Sequence, residues 1–190
     1  SYHTPATLNT DGAFFWDMPG PVFLDGELVE LRTIEQEDVD FLQEIINDPA
    51  VRHGLGTSDP ITRSEEEEWI ESLDEAEGYH FIIADDGTPV GTCGLNDVNE
   101  TWGVAEAGYF VHPDHWGNGY ATDALRTLCR FGFEEKRLQK LLARAYATNP
   151  ASQRVIEKAG FTEEGVLRQE AFVGGERVDV HRYGLLAEEW

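Results

Sequence analysis

The chain has 190 residues, 41% of them hydrophobic, and 37 acidic side chains against 14 Lys and Arg, a formal charge of −23. That length and composition suit one ordinary domain with a packed core and exclude wholesale disorder. So negative a chain repels the phosphates of nucleic acid and the anionic lipid of a membrane surface, and neither is an expected partner.

The carboxylates also repel one another, and salt relieves this, because the screening length falls from about 10 Å at 0.1 M to about 3 Å at 1 M. Arg outnumbers Lys eleven to three. The composition reads as a salt-adapted, halophilic surface, so the thermal midpoint is expected to be higher in molar KCl than in dilute buffer. A midpoint that does not rise would leave a merely acidic protein. Cys93 and Cys129 lie far apart and form no C-x-x-C pair. Neither a disulfide framework nor a thiolate zinc site is therefore expected, which points to the cytoplasm. The opening stretch, 1–28, lacks the charged start and apolar run of a signal peptide, and no segment approaches the roughly 20 apolar residues of a membrane helix.

In chain order, 1–27 reads as an irregular extension around Phe14, Phe15 and Trp16. A short strand is expected over 28–33, then an amphipathic helix to Asn47 with Val39, Leu42, Ile45 and Ile46 at helical spacing. Asp48-Pro49 is read as its stop. A second helix starts near Thr62, with Glu65 to Glu68 a solvated face whose carboxylates favour the positive end of the dipole, and with Trp69, Ile70 and Leu73 on the apolar side. Strands over 80–84, 89–95 and 102–111, joined by Asp86-Gly87 and the polar loop 96–101, read as an antiparallel meander. A helix over 120–135 with Ala121, Leu125, Leu128 and Gly132 on one stripe, then a strand over 140–147, implies a parallel crossover. Asn149-Pro150 opens a short helix that Gly160 ends. Strands over 166–173 and 177–186, separated by Gly174-Gly175, read as a hairpin. No repeat or linker interrupts 1–190, so a single domain is expected.

The segment richest in chemistry is the glycine-bearing loop 112–122, between a strand and a helix. Glycines let backbone N–H groups approach a ligand closely, and the helix start adds a positive dipole end, so the place suits phosphate. A P-loop would need a Lys that the segment lacks, and a dinucleotide fingerprint would want Gly or Ala where Thr122 stands. An ordinary strand-to-helix turn is the plain alternative. His112 and His115 form an H-x-x-H pair, but in a Pro-containing loop and without a third ligand, so no metal is expected.

The run Tyr109-Phe110-Val111-x-Pro113-x-x-Trp116-Gly117-Asn118-Gly119-Tyr120-Ala121-Thr122, followed by a helix, a strand, Asn149-x-x-Ser152 and Gly160-Phe161, resembles the GCN5-related N-acetyltransferase (GNAT) family. More narrowly it is similar to the RimJ/RimL-type ribosomal-protein N-acetyltransferases. The resemblance covers about 28–190 and implies a mixed α/β fold: a mostly antiparallel sheet with splayed central parallel strands and helices on both faces. It further implies acetyl-CoA as cosubstrate, with its pyrophosphate across the amides of Gly117, Asn118, Gly119, Tyr120, Ala121 and Thr122. The pantetheine would pair with the backbone at Phe110 and Val111 and meet the side chain of Asn149, which alternatively caps the helix. Trp116 stands where the family usually has Gln or Arg, so packing beside the loop and ligand contact both remain open. Ser152 would lie near the thioester sulfur; other branches place a Tyr one turn later, where this chain has Ile156. Glu106 is the candidate base, directly or through water, with a solvent-facing strand carboxylate as the alternative. A main-chain N–H near Val111 would polarise the thioester oxygen. His53 and Trp69 could line the acceptor side, although surface or core roles explain them as well.

These readings imply transfer of acetyl from acetyl-CoA to a primary amine, the favoured acceptor being a protein or peptide N-terminus. A small amine such as a polyamine or antibiotic is the alternative, as is a CoA-sensing module without turnover. A monomer or a homodimer is expected.

Overall fold

The computed structural model describes residues 19–190. Phe14, Phe15 and Trp16 lie outside the described residues. The end of the stretch read as irregular belongs to the sheet, because β1 (Val22–Asp25) pairs antiparallel with β2 (Glu30–Arg32). The expected first strand is thus the second arm of a hairpin. Its turn is held from a distance: the carboxylate of Asp123 accepts the backbone N–H groups of Glu27, Leu28 and Val29 at 3.1, 2.7 and 2.9 Å.

Helix α1 (Val39–Asn47) buries Val39, Phe41, Leu42 and Ile45. Asp48-Pro49 does end it, but the same pair begins a further helix, α2 (Pro49–Leu55). Asp48 accepts from the amides of Ala50 and Val51, Pro49 occupies the first turn where its missing N–H costs nothing, and Gly56 closes the helix at φ +68. Helix α3 (Arg63–Ser72) follows a reciprocal cap between Thr62 and Glu65. The acidic run there is not uniformly solvated. Glu66 lies one turn before Ile70, shares its inward face and is buried, and that burial raises its pKa.

The meander is present, with β3 (Tyr79–Asp85) and β4 (Thr88–Asn99) longer than expected and β5 (Val104–Val111) starting two residues later. Much of the loop expected over 96–101 is therefore the end of β4, and the turn moves to 100–103. Helix α4 (Tyr120–Arg130) runs on into a π-turn at Phe131–Glu135. Strand β6 (Lys140–Tyr146) lies parallel to β5, helix α5 (Pro150–Lys158) follows, and β7 (Thr162–Val173) with β8 (Glu176–Leu186) form the closing hairpin. The sheet has eight strands in the order β1-β2-β3-β4-β5-β6-β8-β7.

Alternation along the strands divides the core between the two faces. Phe81 and Ile83 join Leu125, Leu128 and Ile156 beneath α4 and α5, whereas Ile82 joins Leu42, Ile45 and Ile70 beneath α1 and α3. The helices thus flank an open, mostly antiparallel sheet. The single parallel junction is short: β5 and β6 pair only from Val104–Lys140 to Glu106–Leu142. Beyond Glu106 the two strands part, and the β6-facing edge of β5 is left without a strand partner. Among the described residues no helix is long and apolar enough to cross a membrane.

Asp38, just before α1, is buried, and its Oδ2 accepts the Glu35 amide at 2.7 Å. Burial pushes its pKa up to about 6, against the lowering by that hydrogen bond. Between the ordinary carboxylate value near 4 and about 6, only the folded form holds this proton, so stability from this group falls as pH rises through that window. Asp38→Asn keeps an oxygen for the Glu35 amide and carries no charge. Its melting temperature relative to the parent is expected to be higher at pH 8 than at pH 5, and a difference independent of pH would contradict the burial argument.

Candidate active site

The site is assembled where β5 ends. His112 closes a 3-10 turn, Pro113–His115, by accepting the Asp114 amide on Nδ1 at 3.2 Å. Trp116 then folds back, and its indole N–H donates to the Val111 carbonyl at 2.7 Å. The residue is 56% exposed, so Trp116 is neither core filler nor, with its N–H engaged, a free surface side chain. It fastens the loop to the end of β5. Asn118 also turns inward on the loop, donating to the His115 carbonyl at 3.0 Å.

Gly117 and Gly119 have φ of +80 and +81, a region that side-chain-bearing residues rarely adopt. Gly119 also stands at the cap of α4, where the Asp123 amide makes the first helical bond to its carbonyl. The amides of Tyr120, Ala121 and Thr122 consequently have no acceptor within the helix. Two contacts hold this end in place. The Tyr120 hydroxyl donates to Asp85 at the end of β3, and Asp123 grips the β1–β2 turn and sets Leu28 beneath Gly119.

These amides open on a cleft of about 580 Å³. Its walls are α2 with His53 and Leu55, the last residues of β5, the glycine loop, the start of α5, and Val173 and Gly174 from the β7–β8 turn. A smaller pocket of about 160 Å³ continues past His53 and Gly174 between Arg52, Thr57, Ser58 and Phe172. Tyr146 braces the α2 wall by donating its hydroxyl to the Leu55 carbonyl at 2.9 Å.

Most residues singled out from sequence meet here. Phe110, Val111, Trp116, Gly117, Gly119, Tyr120, Ala121, Thr122, Asn149 and Ser152 all line the one cleft. Asn149 is a helix cap, its Oδ1 accepting the Ser152 amide at 3.1 Å, which leaves its amide nitrogen available. Glu106 does not line the cleft. It lies before the point where β5 and β6 part, and both its oxygens accept from Arg144 at 2.8 and 2.9 Å. The Arg144 guanidinium is held charged by that pair, its pKa raised first by the hydrogen bond to Glu106. His53 reaches the cleft, whereas Trp69 packs edge-to-face on His80 at 5.8 Å.

Sequence reasoning missed the α2 wall, although Asp48-Pro49 and Gly56 signal its two ends. It also missed the partner of Ser152. The Tyr109 hydroxyl lies 2.8 Å from Ser152 Oγ, across 43 residues of sequence, and no local signal announces that pair.

A glycine loop leaves amides unspent at a helix start, beside a strand edge freed by two diverging parallel strands, and such amides have the chemistry to meet an anion. The sequence matches the family described as "Acetyltransferase (GNAT) domain" over residues 29–162. The chain belongs to this family.

It is an acetyl-CoA-dependent N-acetyltransferase, and GNAT relatives cover nearly all of the described chain. The "Putative ribosomal N-acetyltransferase YdaF" of Bacillus subtilis is 28% identical over 172 residues, 86% of this chain and 94% of its own. The spermidine N(1)-acetyltransferase of Vibrio cholerae is 27% identical over 172 residues, 84% of this chain and 94% of its own. A crystal structure of spermidine N-acetyltransferase from Vibrio cholerae, in complex with CoA and spermine, superposes with a TM-score of 0.80 at 24% identity, covering 85% of this chain and 97% of that one.

Proposed function

We propose that this enzyme acetylates the α-amine of a protein or peptide N-terminus, as in the RimJ/RimL branch, by direct attack of the amine on acetyl-CoA in a ternary complex. The observation that carries the reading is the row of unspent amides at Tyr120, Ala121 and Thr122 behind left-handed Gly119. A helix start offers N–H donors and a positive dipole end to a pyrophosphate without any lysine. A chain of charge −23 has particular need of such a device.

In this reading the backbone of 117–122 holds the pyrophosphate. Phe110 and Val111 offer the pantetheine the strand edge that β6 leaves free, and the Asn149 amide nitrogen adds a donor. Acetyl-CoA supplies the activated thioester. A main-chain N–H near Val111 polarises its oxygen. Ser152 meets the sulfur, and Glu106 receives the amine's proton through water, because it is not among the residues that line the cleft. Trp116 acts by holding Val111 in position.

The acceptor follows from proton chemistry and from the lining. An α-amine with a pKa of about 7.7–8 is partly neutral near pH 7, whereas an alkyl amine such as lysine, at about 10.4, is almost wholly charged. The residues lining the two pockets include no Asp or Glu, and Arg52 is the one side chain among them with a fixed charge. A polycation would find no ion-pair partner in that lining. The ribosomal N-acetyltransferase name of the YdaF relative agrees with this choice.

One observation favours a second reading. The Vibrio cholerae relative acts on spermidine, and the strong negative charge would draw polyamines to the surface. Thiol release and product mass spectrometry should decide, using acetyl-CoA with peptides that have free N-termini, the same peptides N-terminally blocked but carrying lysine, and spermidine. Acetylation confined to free N-termini is expected. Turnover with spermidine alone would reverse the assignment.

A further inference from the structure

Ser152 is gripped on three of its atoms. Its amide donates to Asn149 Oδ1, and the Tyr109 hydroxyl lies 2.8 Å from its Oγ and 3.2 Å from its carbonyl oxygen. Tyr109 comes from β5, the strand that forms the opposite wall of the cleft, and both residues line the same cavity. The position one turn after Ser152 on α5 is Ile156, which is buried and has no proton to give. Ser152 therefore meets one other side-chain hydroxyl among the described residues.

We propose that Tyr109 is a positioning residue for acetyl transfer, donating its O–H to Ser152 Oγ so that the proton of Ser152 is turned into the cleft toward the departing sulfur. The inference rests on the placement of the acetyl-CoA thioester at Ser152. A serine hydroxyl has one proton and two lone pairs. If Tyr109 fills one lone pair, the proton is free for another partner, and the shorter of the two tyrosine contacts is the one to Oγ. Burial is the first cause that pushes the Tyr109 pKa up to about 12. The phenol thus keeps its proton across the neutral range and acts as a fixed donor.

The transfer balances without ionising either hydroxyl. The amine lone pair forms the new C–N bond, the C–S bond breaks, and its electron pair leaves on sulfur. The Ser152 O–H stabilises the resulting thiolate by a charge-assisted hydrogen bond. The proton lost by the nitrogen passes through water to Glu106, and the thiolate takes its own proton from solvent as CoA departs.

The test compares Tyr109→Phe, which keeps the buried ring and hence the fold, with Ser152→Ala and the double variant. With an amine that supports turnover, Tyr109→Phe is expected to lower kcat about 10-fold, the worth of one hydrogen bond of about 1.4 kcal/mol, with the KM for acetyl-CoA unchanged. The double variant should be no slower than Ser152→Ala. A second readout needs no acceptor. The parent should bind CoA more tightly as pH rises from 7 to 9, because Ser152 favours the thiolate, and that gain should be lost in both single variants. A kcat for Tyr109→Phe within twofold of the parent, effects that multiply in the double variant, or a pH-dependent gain retained in Tyr109→Phe would overturn the proposal. CoA that binds none of the variants nor the parent would instead defeat the acetyl-CoA placement itself.

Discussion

Replacing Gly119 by valine is expected to weaken CoA binding about 100-fold or more, equivalent to about 2.7 kcal/mol, with the sheet intact. Two effects combine. At φ +81 a β-branched residue is a backbone outlier, and the left-handed region costs an L-residue roughly 1–2 kcal/mol. The new side chain would also stand at the mouth of the amide row from Tyr120 to Thr122, where a pyrophosphate must come into contact with the main chain. Crowding from behind is the smaller effect. The added Cβ would meet Leu28 Cδ1 at 3.3 Å, the movable end of a flexible side chain. Gly117 provides the comparison, since its φ is +80 but a Cβ there meets nothing within 4 Å. Gly117→Ala should therefore show strain alone and lose roughly 5–30-fold. Calorimetric titration of CoA, with circular dichroism to check the fold, measures both. Unchanged affinity in Gly119→Val would remove the pyrophosphate from this loop.

Glu106→Gln should lower kcat by about 100-fold, the scale of a lost general base, while CoA affinity stays within about twofold. The expectation has to accommodate the bidentate pair with Arg144. Each Glu106 oxygen accepts one bond from the guanidinium and retains a second lone pair, so a water can still be held and can deliver the amine's proton. Glutamine preserves the size and one acceptor but turns an amide NH2 toward the guanidinium and removes the charge that receives a proton. Arg144→Gln separates the two roles of the pair. If Glu106 is the proton acceptor, Arg144→Gln keeps the carboxylate and should lose far less rate than Glu106→Gln; if the pair is only a surface bridge, neither variant should change kcat. Steady-state rates of the parent and both variants provide the measurement. A Glu106→Gln enzyme at the parental rate would leave the carboxylate as half of a salt bridge.

The legibility of the fold followed the range of the interactions involved. The loop 112–122 and the hairpin at Gly174-Gly175 could be read because turn chemistry is local: glycine is needed where φ is positive, and the residues needing it are adjacent in sequence. The α5 start at Asn149-Pro150 was readable for the same reason. Asp48-Pro49 was read correctly as an end and missed as a beginning, since a helix stop and an N-cap followed by proline use the same residue pair. Glu66 was misjudged because a run of four glutamates hides which of them shares a face with Ile70.

The sequence by itself determined where backbone amides would be left unspent, because glycine conformations and helix starts depend on a few consecutive residues. It also determined the charge that makes such amides the practical ligand for an anion. Tertiary structure alone decided which side chains meet across the sheet. The parting of β5 and β6 after Glu106 sets that carboxylate against Arg144 rather than in the cleft, and brings Tyr109 to Ser152 instead. Those meetings depend on strand order and register, which depend on packing of the whole core, and no window of neighbouring residues carries that information.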